Sequence, residues 1–385
     1  MDISKIKKVF LTIIFFIIFN SFIFIGLNKS LTVFGLSPKP NQKKNQNKKP
    51  NQNQDLFYKQ AENKALSATS SYLAVDENTR QILDQKNADS RRSIASLTKL
   101  ITAYLIEKKL VSRQMSFNQK VKIGSGEAKM SANPETSNIQ LKAGQTLNIY
   151  QLLDLSLIGS SNSATIALAK TAFGTIDKAN SQMEKLLASW GIHTKINSPC
   201  GLPNNLMGDF KTKNLPGEAQ NKLSARQITL VADKLLNNFP NLRKIFSSKQ
   251  TRVGDSKVLS GNMLLFFKRA PFKYTGVKTG SDTDAGGNII GEADISGHKI
   301  LVTILGSGNY EDNYTRAYAA QGIFRKVAGQ LSFINSPLSS LSSNFLKFQL
   351  QKRKANFMNP PTSWLNKKEP SKKSLFSCYR QFYLF

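Results

Sequence analysis

Hydrophobic and polar positions follow strand-like and helix-like periods from about Asp55 onwards, which indicates that a globular domain begins there. Apolar and β-branched runs between turn residues predict strands near both ends of the domain: Ser71–Asp76, Gln81–Asp84, Tyr274–Thr279, Gly287–Ile295 and His298–Leu305. Helix-like spacing predicts helices between them: from Ser96, over Ile149–Ile158, from Ala164, over Ala179–Gly191 and over Ser224–Leu236. Strands early, helices in the middle and strands late indicate a mixed α/β fold and leave the strand order open.

Residues 1–36 are predicted to be a membrane anchor or signal segment. Three lysines precede the mostly apolar run Val9–Leu27, which has about the length that crosses a bilayer. The run lacks an Ala-x-Ala cleavage site, so we favour an uncleaved anchor over a cleaved signal. Lysines also follow the run, so the charge pattern does not fix its orientation.

The segments on either side of the domain are basic and poor in core-forming residues. Residues 37–60 are predicted to be a linker, because Ser37–Gln54 consists largely of Pro, Asn, Gln and Lys and can bury almost nothing. Residues 61–330 form the predicted domain. Residues 331–385 are predicted to be a basic tail without a separate β-rich domain and with weak membrane affinity at best.

Composition limits the partners more than it limits the fold. The 385 residues are 40% hydrophobic, which is enough for a sizeable core in one domain or two. Lys and Arg number 54 against 24 Asp and Glu, and the resulting charge of +30 predicts polyanionic surroundings such as nucleic acid, anionic lipid or anionic wall polymers. Cys200 and Cys378 have no metal-ligand spacing with either histidine, so neither a disulfide framework nor a zinc site is expected.

Ser96 and Lys99 are the first candidates for chemistry. They lie three residues apart before an apolar run, which places the hydroxyl and the amine on one helix face. A neutral lysine can take the proton of a serine hydroxyl and so make it a nucleophile, and the start of a helix favours developing negative charge. The same spacing is common on solvated helix surfaces, so the pair alone leaves both readings open.

Two further short motifs combine polar groups with apolar surroundings. Ser160-x-Asn162 stands between two predicted helices, where it either caps the second helix or contributes buried polar groups to a site. Lys278-Thr279-Gly280 ends a predicted strand and places a cation beside a hydroxyl, next to a glycine that allows close approach to the backbone. This last arrangement suits an anionic end of a substrate.

Taken together and in this order, the three motifs resemble those of penicillin-binding proteins and class A β-lactamases. More narrowly, the chain resembles the low-molecular-mass D-alanyl-D-alanine carboxypeptidases over roughly residues 65–330. Further matching stretches are Leu141–Gly144, Gly201–Pro203, Ser224–Arg226 and Ala285–Gly286. The resemblance implies an α/β (α+β) fold, in which helices and a helical subdomain flank an antiparallel sheet whose first and last strands come from opposite ends of the chain.

The resemblance also implies a serine peptidase with Ser96, Lys99 and Ser160 as catalytic residues. Ser96 attacks the carbonyl between two D-alanines of a peptidoglycan stem peptide and forms an acyl-enzyme that water releases. Lys99 is the base, and its pKa must fall by about 3 units through partial burial and the nearby charge of Lys278. Ser160 passes the proton to the leaving amine. No metal or cofactor is needed, nucleic acid is not a partner, and β-lactam antibiotics are expected as covalent inhibitors.

The remaining implied site residues bind the substrate: Asn162, Lys278, Thr279, Gly280, Ser281 and Arg316. Asn162 hydrogen-bonds the substrate amide and positions Lys99, whereas Lys278 and Thr279 hold the terminal carboxylate. The backbone N–H groups of Ser96 and Ser281 form the oxyanion hole. For Arg316, a contact with the carboxylate and a plain surface position are equal alternatives.

Two positions qualify the resemblance. Asp282 stands where the family usually has threonine, so its carboxylate either turns outward or weakens the binding of an anion. Glu218 and Asn221 come nearest to the motif that activates the deacylating water in class A β-lactamases, but they are one residue short in spacing. Slow turnover of penicillin is therefore expected.

Several alternatives stay open at the level of sequence. A β-lactamase or esterase on the same scaffold and a non-catalytic wall-binding homologue are both possible readings. A Ser-His-Asp hydrolase is disfavoured, because no Gly-x-Ser-x-Gly is present and His193 and His298 look like ordinary polar positions. Carboxypeptidase, transpeptidase and endopeptidase reactions share one acyl-enzyme, so the sequence does not choose among them. The expected location is the extracytoplasmic face of a bacterial membrane, or the wall if the first segment is cleaved.

Overall fold

A computed structural model describes residues 52–136, 139–268 and 270–334 of the chain. The predicted membrane segment, most of the predicted linker and nearly all of the basic tail lie outside these residues. Of the helices in the described part, none combines the length and the apolar character required to cross a bilayer.

Nine α-helices lie within the described residues: α1 (Gln52–Ser67), α2 (Lys99–Val111), α3 (Ser125–Ala132), α4 (Ile149–Leu157), α5 (Asn162–Phe173), α6 (Ile176–Ala188), α7 (Ala225–Asn238), α8 (Leu242–Phe246) and α9 (Asn313–Ile334). Several begin where the sequence supplies a cap. The Ser224 hydroxyl accepts a hydrogen bond from the Gln227 amide while the Gln227 side chain accepts one from the Ser224 amide, a reciprocal capping box that fixes the start of α7. Asn148 and Gln151 form the same arrangement at α4.

Five of the eleven described strands form the main sheet: β1 (Thr69–Asp76), β2 (Ile82–Lys86), β9 (Lys273–Asp282), β10 (Gly286–Ile295) and β11 (His298–Ser307). Their order is β2-β1-β11-β10-β9, and every neighbouring pair is antiparallel. The first strand of the domain therefore pairs with the last one, and β9 forms an edge of the sheet.

The other described strands form three two-stranded ribbons: β3 (Arg92–Ser93) with β6 (Lys222–Leu223), β4 (Lys120–Lys122) with β5 (Thr146–Asn148), and β7 (Gln250–Val253) with β8 (Ser256–Leu259). The β3–β6 ribbon holds the segment just before Ser96. The β7–β8 ribbon is a hairpin that packs on α4.

Alternate side chains of the central strands enter two separate cores. On β1, Leu73 and Val75 belong to a large core with α2, α4 and α7, whereas Ala74 belongs to a second core that α9 covers. Leu301 and Val302 divide in the same way on β11. Both faces of the sheet are thus buried, which explains why β11 reads as a continuous apolar run.

The mixed fold and the antiparallel sheet agree with the sequence analysis, and each predicted strand lies within or overlaps an observed one. The linker boundary does not agree, because α1 begins at Gln52, inside the range predicted to be linker. Ala65 and Leu66 of this helix pack in the core beneath α9. The polar, Gly- and Ser-bearing stretch 124–135, for which no element was expected, contains α3.

Candidate active site

Ser96 lies in a tight 3₁₀ turn, Ala95–Thr98, that leads directly into α2. The turn is held from outside by Gly201, whose φ is +88° and where a Cβ atom would come within 2.0 Å of the Ala95 carbonyl oxygen. Ala95 itself has φ of 44°, a left-handed conformation that non-glycine residues rarely adopt. The nucleophile candidate therefore sits on a backbone that the loop around residue 201 fixes in place.

The Lys99 side chain is wholly buried and makes three hydrogen bonds, one for each proton of an ammonium group. Its Nζ lies 2.7 Å from Ser96 Oγ, 2.7 Å from Asn162 Oδ1 and 2.8 Å from the carbonyl oxygen of Cys200. Lys99 thus contacts both Ser96 and Asn162, although Asn162 comes from the start of α5.

The nature of these three partners determines what a neutral Lys99 can do. A neutral amine has two protons and one lone pair, whereas the Asn162 and Cys200 oxygens can only accept hydrogen bonds. These two acceptors take both protons, so the lone pair faces the Ser96 hydroxyl, the one partner that can donate. The neutral amine is therefore positioned to receive the Ser96 proton.

Burial lowers the pKa of Lys99 to about 8, because the charged amine has lost its water. At pH 7 about a tenth of such lysines are neutral. The burial is complete, where the sequence analysis expected it to be partial. The expected contribution of Lys278 is not among the causes of this shift; instead, the charge of Lys99 lowers the pKa of Lys278.

Ser160 and Lys278 form the second contact of the site. Ser160 lies between α4 and α5 with φ of 58°, and Lys278 Nζ donates a hydrogen bond to its Oγ over 2.9 Å. The N-cap of α5 is Ser161, whose hydroxyl accepts from the Ala164 amide. The sequence analysis considered a capping role for this motif, and Ser161, its middle residue, has that role. The side chains of Ser160 and Asn162 do not cap the helix and are available to the site.

Lys278 has only 2% of its surface exposed and stands on β9. Burial lowers its pKa well below the usual value, and the charges of Lys99 and Arg316 lower it further. Apart from Ser160, its amine donates to the Thr279 carbonyl over 3.1 Å. None of these three cations forms an ion pair within the described residues.

Gly280 brings the β9 edge against the Ser96 turn. A Cβ atom at this position would lie 2.8 Å from the Ile94 carbonyl oxygen and 3.0 Å from the Ser96 amide nitrogen. Only a residue without a side chain allows this approach. Thr279 is buried on the preceding position and Ser281 is exposed on the following one.

Arg316 lies in the first turn of α9 and is 2% exposed, so the alternative of a plain surface arginine is wrong. One of its terminal nitrogens donates to the Gly280 carbonyl over 3.1 Å, and the other contacts Asn313. Burial lowers its pKa to about 10. Its buried Nε has no hydrogen-bond partner within the described residues, which leaves one donor of the guanidinium unused.

Asp282 is neither turned outward nor left facing the three cations. Its Oδ1 accepts from the amides of Asp284 and Ala285 over 3.0 and 2.6 Å, and its Oδ2 accepts from Ser93 Oγ over 3.2 Å. Burial raises its pKa. The carboxylate thus closes the β9–β10 turn and ties that turn to β3.

Several supporting residues escaped the sequence analysis. Asn288 is fully buried on β10, donates to the Ser93 carbonyl and accepts from the Gly306 amide. The Cys200 carbonyl, which holds Lys99, belongs to a loop for which no role was predicted. For Asn288, the one available signal was an asparagine next to Ile289 and Ile290 in a predicted strand, whereas the role of a backbone carbonyl leaves no signal in the sequence.

The remaining candidates serve the scaffold. Asn221 is buried and donates to Thr98 Oγ1 and to the Ser198 carbonyl, while Glu218 is exposed, so the two do not form a carboxylate site beside Ser96. His298 contacts the Asp76 carboxylate at the far end of the sheet over 2.7 Å. Cys200 is a free, buried thiol.

A family model described as D-alanyl-D-alanine carboxypeptidase matches residues 58–309. Among curated relatives, D-alanyl-D-alanine carboxypeptidase DacA of Escherichia coli K12 is 28% identical over 245 residues, which cover 63% of this chain and 57% of the relative. The enzyme of the same name from Haemophilus influenzae is 27% identical over 236 residues and covers 61% and 56%. The match therefore spans less than two thirds of the length of these relatives.

Solved structures show the same fold. A peptidoglycan synthesis regulatory factor (PBP3) from Streptococcus pneumoniae superposes with a TM-score of 0.64 at 29% identity, over 68% of this chain and 73% of that one. Penicillin-binding protein D2 from Listeria monocytogenes, solved in an ampicillin-bound form, superposes with a TM-score of 0.56 at 20% identity, over 68% and 97%. The second likeness concerns the fold alone.

Proposed function

The chain belongs to the D-alanyl-D-alanine carboxypeptidase family of peptidases, and on this premise we propose that it is a penicillin-sensitive serine carboxypeptidase. Its proposed reaction removes the terminal D-alanine from a peptidoglycan stem pentapeptide through an acyl-enzyme on Ser96. The contact between Lys99 Nζ and Ser96 Oγ carries the proposal, because the two other partners of the amine leave its lone pair to the hydroxyl.

The charge of the site supports a substrate that ends in a carboxylate. Lys99, Lys278 and Arg316 are all buried, and no carboxylate lies within ion-pair distance of them in the described residues, although the charge of Asp312 raises the pKa of Arg316. Buried cations without counter-ions are costly, so an anionic ligand gains affinity by completing the site. In the proposal, Lys278 and the Thr279 hydroxyl bind the terminal carboxylate, and Arg316 supports it through its unused donor.

In the proposed acylation, Lys99, the oxyanion hole and Ser160 act in turn. Ser96 Oγ gives its proton to neutral Lys99 and attacks the carbonyl carbon between the two D-alanines. The amides of Ser96 and Ser281 stabilise the oxyanion, which the close approach of Gly280 to the Ser96 amide supports. The C–N bond breaks as a proton reaches the leaving amine through Ser160, and D-alanine departs.

Water completes the cycle when it gives a proton to Lys99 and attacks the acyl carbonyl. The ester C–O bond to Ser96 then breaks, and Lys99 returns the proton to Ser96 Oγ. A β-lactam acylates the same hydroxyl, and the exposed position of Glu218 supplies no carboxylate to activate water there. We therefore expect the penicilloyl adduct to persist.

The proposed place of action is outside the cytoplasm, where the stem peptides are. The predicted membrane segment, residues 1–36, lies outside the described residues, so attachment through it remains part of the proposal. Peptidoglycan is then the partner, and the positive charge of the chain suits a polyanionic wall.

The direct test is product analysis on a synthetic stem pentapeptide. The full-length chain should release one D-alanine per peptide and leave a tetrapeptide, and Ser96→Ala should release none. Ser112→Ala, an exposed residue at the other end of α2, serves as a matched control and should behave like the unaltered chain. Release by Ser96→Ala, or no release by the unaltered chain, would reject the proposal.

A further inference from the structure

The β7–β8 hairpin lies next to the active site, and the proposed mechanism assigns no role to it. Val258 lies against the turn that carries Ser160, since a Cβ on Gly159 would come within 2.6 Å of its Cγ1. Gly261, two residues beyond β8, lies beside Thr279, whose Oγ1 would be 3.4 Å from a Cβ there. The hairpin therefore adjoins two elements that supply site residues.

One face of the hairpin packs against α4, and the other face is exposed. Thr251 and Val258 are directly opposite each other and face α4, where Thr251 Oγ1 donates to Asp154 over 3.4 Å. Cross-strand partners share a face and successive residues alternate, so Arg252 and Lys257 lie on the other face. Both of these residues are exposed.

Arg252 and Lys257 are a directly opposed pair of like charges. Such a pair destabilises a two-stranded ribbon, which has few other contacts to hold it. Neither side chain forms an ion pair or a side-chain hydrogen bond among the described residues, although Asp255 stands in the turn between them. An anion bound between the two cations would remove the repulsion.

We infer that this face of the hairpin, Arg252 and Lys257 with the exposed Leu259 beside them, binds carboxylate-bearing peptide strands of peptidoglycan. The inference rests on the proposed function and extends it from the reacting dipeptide to the polymer around it. Lys257 precedes Leu259 by two residues, or about 7 Å along the strand, and Gly261 brings the same segment to Thr279. Lys257 lies four residues before Gly261, which is about 13 Å of extended strand, and an extended peptide of four residues covers the same length.

The test compares two substrates with the full-length chain carrying Arg252→Gln and Lys257→Gln together. One substrate is a short N-acylated D-alanyl-D-alanine peptide without side-chain carboxylates, and the other is peptidoglycan stripped of phosphodiester polymers by acid. The double variant should raise KM for stripped peptidoglycan about fivefold at low salt and lose this difference at high salt. Its kcat, and both constants for the short peptide, should not change.

Lys120→Gln with Lys122→Gln is the matched control. These two lysines are exposed on another two-stranded ribbon, next to the start of α4, whereas Ser160 follows its end about 13 Å away. The control removes the same charge and should leave KM unchanged. The inference is overturned if KM for stripped peptidoglycan stays the same in the hairpin variant or rises equally in the control.

Two further outcomes separate the possible errors. A rise in KM that appears only when phosphodiester polymers remain would show that they, and not peptide carboxylates, are the ligand, and would overturn the inference. No release of D-alanine from the short peptide by the unaltered chain would instead reject the proposed function. Cosedimentation with stripped peptidoglycan then tests the hairpin by itself, since the hairpin variant should bind more weakly than the control and equal binding would overturn the inference.

Discussion

Three buried basic side chains, Lys99, Lys278 and Arg316, define the chemistry at the scale of residues, and Lys99 is the one that contacts the Ser96 hydroxyl. Lys99 is held by two oxygens that only accept, and its third contact is Ser96. Burial lowers the pKa of Lys99 to about 8 and that of Lys278 well below its usual value. The site therefore combines a nucleophile, its base and buried cations that an anionic ligand would neutralise.

The first prediction concerns the pH dependence of acylation. The rate of acylation by a fluorescent penicillin should rise about tenfold per pH unit below about pH 8 and level off above it, because the neutral form of Lys99 is the base. Asn162→Asp places a carboxylate against the amine and should move this inflection to higher pH. Stopped-flow measurement of both chains tests the assignment, and a profile flat through pH 8 in the unaltered chain would contradict it.

The residues of the three short motifs could be named from sequence because each motif is local, whereas Arg316 was named only through the resemblance. What the sequence did not provide is a role for the loop of residue 201, whose Cys200 carbonyl fixes the direction of the Lys99 lone pair. It also understated burial, since a lysine three residues after a serine looks the same at a surface and in a core. The meeting of Ser160 with Lys278 joins residues 118 positions apart, and no period or spacing encodes it.

At the scale of elements, a glycine locks the turn that carries Ser96. Gly201→Ala should cost about 3 kcal/mol or more of stability and abolish penicillin labelling, because the new Cβ would collide with the Ala95 carbonyl. Gly174→Ala has a similar φ of +82° with no atom within 4 Å, so it should cost about 1 kcal/mol and keep labelling. Urea unfolding and labelling of both variants measure the difference, and equal effects would show that the contact is unimportant.

Helices and strands were predictable where their own residues show a clear apolar periodicity or a helix cap. Strands β1, β10 and β11 follow from their apolar runs, and α7 from its capping box. The helix α1 was missed because its apolar residues do not mark a buried face: Leu56 and Phe57 are exposed. Its few buried residues, such as Ala65, pack against α9, more than 200 positions later. The short α3 buries only Glu127, Met130 and Ser131, too few to show a period.

At the scale of the whole molecule, one guanidinium joins the sheet to its flanking helices away from the active site. Arg243 of α8 lies 2.7 Å from Glu77 and 2.7 Å from Glu292 of β10. Burial and the neighbouring Glu292 raise the pKa of Glu77 to about 8. The second Glu77 oxygen has no donor among the described residues, so a proton shared with Glu292 would satisfy it.

This cluster predicts how the fold responds to pH. The folded chain holds a proton on Glu77 that the unfolded chain releases above about pH 4.5, so the stability from this group falls progressively as pH rises from about 4.5 to about 8. Glu77→Gln imitates the protonated form and should stabilise the fold at pH 9 by on the order of 2 kcal/mol relative to its effect at pH 5. Denaturant unfolding at both values measures this. Exposed Glu218→Gln is the control, and a pH-independent effect of Glu77→Gln would be contrary to this account.

The central claim for the whole molecule is that three distant segments act on one hydroxyl. Intact-mass analysis of the full-length chain after exposure to penicillin, followed by peptide mapping, tests it most directly. The account predicts a single penicilloyl adduct on the peptide that contains Ser96 and none in Ser96→Ala. An adduct that persists in that variant, or that maps to another residue, would contradict it.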